Sequence, residues 1–270
     1  TEENTLSLHD ALPILIILLI SALMPSLAGQ TCCASKGTAG SQSANESLYI
    51  VQMPTAGTLE KGSFLIYSEY FAGGGLMLQI GAAPFKDFSL GLSFGFTNFV
   101  GYGNIETQNY PGVQLIYRVI DESLSIPAIL IGLNTQGRGD YLKQSAAYQV
   151  SSPGVYIAAS KSFKWALGDF SLHGGFNYSI EGTPKDRNPN FYLGIEHCLG
   201  KSLSLNVEYN ATTTVFSKRI ISSHGLLNAA FRISVSDGLT VEIQALDLFE
   251  HLQPKKGIRR SIGFEYIQKL

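Results

Sequence analysis

The feature that most constrains this chain is a strict two-residue alternation that runs almost unbroken from Gly62 to the C-terminus. Phe88, Leu90, Leu92, Phe94 and Phe96 interleave with Ser89, Gly91, Ser93, Gly95 and Thr97. Leu203, Leu205, Val207 and Tyr209 interleave with Ser204, Asn206, Glu208 and Asn210, and Leu239, Val241, Ile243 and Ala245 with Thr240, Glu242 and Gln244. A period of two places alternate residues on opposite faces of a β-strand, and no helical period fits these windows. The runs predict about twelve strands at 62–71, 75–83, 88–98, 111–119, 126–135, 152–162, 169–180, 190–198, 202–211, 223–235, 238–247 and 257–270. Such strands are longer than the roughly 5–6 residues usual in soluble sheets and match the roughly 9–11 of a tilted membrane strand.

The connections alternate as well. Short turns fall at Lys86-Asp87, Asp121-Glu122-Ser123, Leu167-Gly168, Gly200-Lys201 and Ser236-Asp237; longer segments fall at 99–110, 136–151, 181–189, 212–222 and 248–256. Both ends of the strand series lie on the short-turn side. The expected fold is therefore all-β: a closed, antiparallel, up-and-down transmembrane β-barrel of about twelve strands over residues 58–270, with periplasmic turns and longer outside loops.

Composition fits that solvent. Only 15% of the residues are charged, against about 25% in an average soluble domain. With 19 basic and 21 acidic residues there is no field to attract a polyanion, and nucleic acid is excluded as a partner. Aromatics cluster near strand ends: Phe85, Phe88, Trp165 and Phe170 on the turn side, Phe96, Phe99, Tyr178 and Phe191 on the loop side. Such rings sit at headgroup depth in interfacial girdles. The last strand alternates Ile262, Phe264 and Tyr266 up to Leu270; an aromatic-containing terminal alternation is what the barrel-insertion machinery reads, although Leu270 itself departs from the usual terminal aromatic.

Ahead of the barrel, Ala11 to Leu27 reads as a secretory h-region with small residues at Ser26-Leu27-Ala28, so residues 1–28 are expected to be a signal peptide; residues 1–13 resemble translated adapter sequence. Residues 29–57, Ser/Ala/Gly-rich up to about Glu46, read as a flexible segment, and whether they plug the lumen stays open. Cys32, Cys33 and Cys198 form no metal-binding spacing.

The second face of the strands carries Gly, Ser, Asn, Gln and a few charges, as a polar lumen would. Arg118, Glu196, Glu208, Arg232, Glu242 and Glu265 share that parity and are the candidate lumen-lining residues, expected to pair across the interior because an unpaired charge there is costly. Gly91, Gly95, Gly132, Gly175 and Gly194 would widen the lumen. No catalytic, cofactor or metal site is expected: His173, His197 and His224 lack a Ser two residues later, and no His-Glu-x-x-His occurs.

Met53-Pro54-Thr55-Ala56-Gly57-Thr58-Leu59, Asn98-Phe99-Val100-Gly101-Tyr102-Gly103, Tyr110-Pro111-Gly112-Val113, Ser152-Pro153-Gly154-Val155-Tyr156 and Leu172-His173-Gly174-Gly175-Phe176-Asn177-Tyr178 resemble the YjbH-type outer-membrane barrel proteins of Gram-negative bacteria over roughly residues 50–270. The resemblance implies one outer-membrane barrel and an association with exopolysaccharide production and export, and it implies no catalytic residues. The combined expectation is an outer-membrane protein embedded in lipid, acting as a small-solute channel or as an accessory to envelope polysaccharide export. The alternatives are a structural or surface-adhesion barrel with a closed lumen, and an outer-membrane enzyme.

Overall fold

A computed structural model of the chain describes residues 37–101, 104–108, 110–142, 146–165, 168–182, 187–212, 225–252 and 257–270. The expected signal peptide, with Cys32 and Cys33, lies outside them. The strands are β1 (Ser63–Phe71), β2 (Gly75–Phe85), β3 (Phe88–Thr97), β4 (Glu106–Thr107), β5 (Gly112–Ile120), β6 (Ala128–Asn134), β7 (Arg138–Leu142), β8 (Ala147–Val150), β9 (Gly154–Trp165), β10 (Gly168–Tyr178), β11 (Pro189–Cys198), β12 (Leu203–Asn210), β13 (Leu226–Ser236), β14 (Leu239–Leu246) and β15 (Arg259–Lys269).

Twelve of these form one ring. Each strand pairs antiparallel with its neighbour from β1 through β2, β3, β5, β6 and β9 to β15, and β15 pairs back onto β1. The closing seam is long and in register, from Ser63 opposite Lys269 to Phe71 opposite Ser261. Closure removes both sheet edges, which is what a β-sheet in hydrocarbon requires. Three further strands were not legible as strands. Short β4 adds to the end of β3, while β7 and β8 form a separate hairpin within the long connection between β6 and β9.

The outer face is an apolar belt. Ile66 faces Ile80, Ile80 faces Leu92, and Leu92 faces Val113 across three successive pairings. All four are exposed, as are Leu115, Ile131, Ile157, Leu172, Ile195, Leu205, Ile243 and Phe264 farther around the ring. A soluble monomer does not carry an apolar surface that encircles it. Ring pairs border the belt: Phe85 with Phe88 and Phe163 stacked on Phe170 at the turn side, Phe96 with Phe99 and Phe191 with Tyr209 at the loop side. Tight turns close the other rim. Gly238 has φ +70°, and a Cβ there would stand 2.0 Å from the Ile267 carbonyl oxygen, so only glycine fits.

Inside, the apolar residues make five small separate clusters instead of one core. Four of the five include residues from 48–59. Residues 37–57 pack within the ring, a placement that the sequence left open because the segment has no periodicity of its own and takes its partners from the barrel wall.

Candidate functional site: a plugged lumen

Residues 46–58 fold back on themselves. Ile50 N–H donates to the Met53 carbonyl at 2.8 Å, Thr55 N–H donates to the Leu48 carbonyl at 3.1 Å, and Tyr49 bridges Pro54. Both arms of this hairpin point to the turn side, where Thr58 N–H meets Glu46 at 3.0 Å and Gly62 begins the approach to β1. Farther back, Ser41 and Gln42 donate to the carbonyls of Gly200 and Lys201 in the β11–β12 turn. The hairpin therefore enters from the turn side, and its tip, Val51-Gln52-Met53, stands in the interior.

All six sequence-chosen charges point inward, and Arg118, Glu208 and Arg232 bond this hairpin directly. Glu208, fully buried on β12, accepts the N–H groups of Val51, Gln52 and Met53 on Oε2 at 3.0, 2.8 and 2.8 Å. Its other oxygen accepts Asn228 Nδ2 at 2.9 Å. Three convergent amides around one carboxylate oxygen make an anion nest turned around: the inserted segment supplies the nest and the wall supplies the charge. Arg232 on β13 donates Nη2 to the Tyr49 carbonyl at 2.7 Å, Nη1 to Ser47 Oγ and Nε to Glu242 Oε1 at 3.1 Å. Arg118 grips Glu46 with both Nη atoms and donates to the Ala56 carbonyl at 3.0 Å. Glu265 accepts Thr38 Oγ1 at 2.6 Å.

The expected pairing across the lumen is not what forms. Arg232 and Glu242 do bond, but as register partners on adjacent strands. Arg118, Glu208 and Glu265 each bond the inserted segment, and Arg118 and Glu208 also keep a wall partner in Asp121 and Asn228. The physical reason is reach, because a twelve-stranded ring is too wide for wall side chains to meet over its centre. Glu196 lies 3.8 Å from His173 Nε2, too long for a hydrogen bond. His173 Nδ1 is 2.8 Å from Ser160 Oγ, which itself accepts Ala56 N–H at 2.8 Å. This Ser-His-Glu line resembles a hydrolase relay, but its hydroxyl is bound to the inserted segment and its acid stands off. Likewise, the Gly91-x-Ser93-x-Gly95 spacing of a nucleophile elbow lies within extended β3, with Ser93 donating to Gln136 at 2.9 Å, and not at the strand-to-helix turn an elbow requires.

The lumen glycines also serve differently from expectation. They do not widen a passage; larger neighbours fill the spaces above them. A Cβ on Gly132 would stand 2.4 Å from the Tyr156 ring, one on Gly175 2.3 Å from the Tyr192 hydroxyl, and one on Gly194 2.5 Å from Ile50 of the hairpin. On Gly91 and Gly95 it would approach the Gln114 and Gln108 side-chain oxygens at 3.3 and 3.0 Å.

At the loop side a second element folds inward. Arg138 of the β7–β8 hairpin is buried and donates to Glu69 of β1 at 2.5 Å, with its guanidinium 4.9 Å above the Tyr49 ring. Glu181 ties β8 down by accepting Tyr148 N–H at 2.9 Å and Ser152 N–H at 2.7 Å; burial raises its carboxyl above the usual carboxylate range despite these bonds. Sequence reading missed Glu69, Arg138, Gln79 and Gln114. Glu69 and the two glutamines share the inward parity and could have been found from it, whereas Arg138 lies in what reads as a loop. Between the hairpin tip and β7, Gln52, Glu69, Arg138, Asn228 and Arg259 help to line a cavity of about 30 Å³, room for a water or two.

No family model matches the chain, and no curated protein matches it. Among solved structures it is similar to the KdgM porin, with 14% identity and a TM-score of 0.44 over 76% of this chain and 98% of that one. It is also similar to the NanC porin, with 8% identity and a TM-score of 0.44 over 77% and 99%, and to the outer-membrane channel DcaP of Acinetobacter baumannii, with 8% identity and a TM-score of 0.27 over 77% and 96%.

Proposed function

We propose that this protein is an outer-membrane channel for small solutes in a Gram-negative envelope, closed at rest by its own residues 37–57. The observation that carries this reading is the manner in which the interior is filled. Wall side chains do not meet over the centre of a twelve-stranded ring; the centre is filled by a segment that enters from the turn side and is held by hydrogen bonds to wall charges. Withdrawal of that segment leaves an interior lined by Ser, Asn, Gln and charged residues, the lining a water-filled passage needs. The belt and ring pairs support an outer-membrane location. The YjbH-type resemblance extends the proposal to a place in envelope or exopolysaccharide export.

A specific observation favours a second reading, a closed structural barrel. Arg138–Glu69 closes the loop side with an ion pair between two parts of the barrel, stacked on Tyr49 of the plug, and the residual cavity is small. Planar-bilayer conductance separates the two. The channel reading expects brief, rare openings in the full chain and frequent ones once Arg232 and Glu242 are both replaced by alanine. A barrel that stays silent in both forms, while still migrating as a folded, heat-modifiable band, refutes it.

A further inference from the structure

The wall's hydrogen bonds to the hairpin go mainly to groups that every peptide possesses, while Ile50, Val51 and Met53 are held by apolar packing. Between residues 47 and 56, wall side chains make seven hydrogen bonds to the hairpin backbone: three amides on Glu208, the Tyr49 carbonyl on Arg232, the Ile50 carbonyl on Asn206, and the Ala56 carbonyl and amide on Arg118 and Ser160. Fewer, among the described residues, go to hairpin side chains: Tyr49 with Gln79 and with Gln114, and Ser47 with Arg232 and Glu196. Donors and acceptors are set on β5, β9, β12 and β13, so the passage offers carbonyl partners and amide partners in turn along an inserted chain.

Buried backbone groups must be paired by something. A permanent plug could pair them internally, as this one does at Ile50–Met53 and Leu48–Thr55, or could be held by features unique to its sequence. Hydrogen bonds to its backbone make the wall selective for a chemical class, and the packing of Ile50, Val51 and Met53 asks only that those positions be apolar. Three successive amides converging on one carboxylate oxygen is a pattern that sugars and simple ions lack.

We propose that the lumen wall is a binding path for peptides folded back as a tight hairpin, recognised through the backbone of the turn, and that residues 46–57 occupy it as an internal surrogate. This rests on the plugged-channel reading and names its solute class. When the surrogate withdraws, Glu208, Asn206, Arg232, Arg118 and Ser160 present the same partners to a peptide from outside the chain. The small wall residue Gly194, which now receives Ile50, gives its side chain room.

The test uses the full chain carrying Ile50→Asp, which places a carboxylate where a fully buried aliphatic side chain packs on the wall and so disfavours the docked hairpin. The variant, purified in detergent and shown to be folded by heat-modifiable mobility, is titrated into three fluorescein-labelled peptides followed by anisotropy. One copies residues 46–57, the second is a scramble that exchanges apolar residues only with one another and keeps Pro54 and Gly57 in place, and the third copies it with N-methyl groups on the amides of Val51, Gln52 and Met53. Copy and scramble are expected to bind within about tenfold of one another, and the methylated peptide about a hundredfold more weakly, since it loses three bonds to a charged acceptor. Glu208→Ala in the same background should weaken copy and scramble alike. Binding of the copy alone, equal binding of the methylated peptide, equal competition by a linear glucose hexasaccharide, or no peptide binding at all overturns the proposal. Bilayer conductance of the same variant reports the channel reading separately. Peptide binding without conductance removes the channel and keeps the peptide path; conductance without peptide binding does the reverse.

Discussion

Glu208→Gln is the sharpest probe of the closed state. The substitution keeps shape and leaves one oxygen to accept the amides of Val51, Gln52 and Met53. Hydrogen bonds to a charged acceptor contribute about 1.5–3 kcal/mol each and neutral ones about 0.5–1.5, so three of them weaken by about 1 kcal/mol apiece. The second position worsens too. The new amide nitrogen faces Asn228 Nδ2, and Asn228 cannot turn over because its Oδ1 accepts Asp247 N–H at 2.9 Å. Relief of the carboxylate's desolvation penalty offsets part of this loss. A net weakening of about 2 kcal/mol remains, or about thirtyfold in the ratio of closed to open plug. Glu208→Ala leaves all four donors unpaired and should weaken docking by about 3 kcal/mol or more, above a hundredfold. Single-channel open probability in planar bilayers measures both, with heat-modifiable mobility as the control for folding. If folded Glu208→Ala opens no more often than the parent, the hairpin is not what closes the lumen.

Gly194→Ala should raise open probability, because the added Cβ lies 2.5 Å from Ile50, and should also lower the urea midpoint of the barrel, because it lies 2.8 Å from the Val207 carbonyl; Gly175→Ala, crowded by the Tyr192 hydroxyl and the Ile157 carbonyl, should lower that midpoint by the equivalent of about 1–3 kcal/mol without raising open probability. Arg138→Ala strands Glu69 without its buried partner and should free the 135–153 connection, read as faster proteolytic cleavage there with the barrel intact. At the turn rim, partial burial raises the Glu122 carboxyl, but its bonds to Lys161 and the Ser162 amide hold it below the usual range. Its stabilising contribution is therefore present above about pH 4.5 and lost as pH falls through its lowered value, so parent and Glu122→Gln unfolding midpoints should differ at neutral pH and converge in acid.

The two-residue period determined the ring by itself. It located twelve strands with ends mostly within two residues of those observed, set the turn side and the loop side, and put Arg118, Glu196, Glu208, Arg232, Glu242 and Glu265 on the inward face. That was possible because a strand in a lipid-facing barrel has one apolar face and one polar face, and the sequence must alternate to satisfy both. The tertiary structure alone decided what those charges hold. Glu208 and Arg118 meet residues more than 60 positions away in sequence, and the groups they bind on Val51, Gln52, Met53 and Ala56 are backbone amides and carbonyls. Those groups are nearly the same at every position of every chain, so no pattern of side chains marks where they will be used. Only closing the ring around the segment shows which ones face a charge.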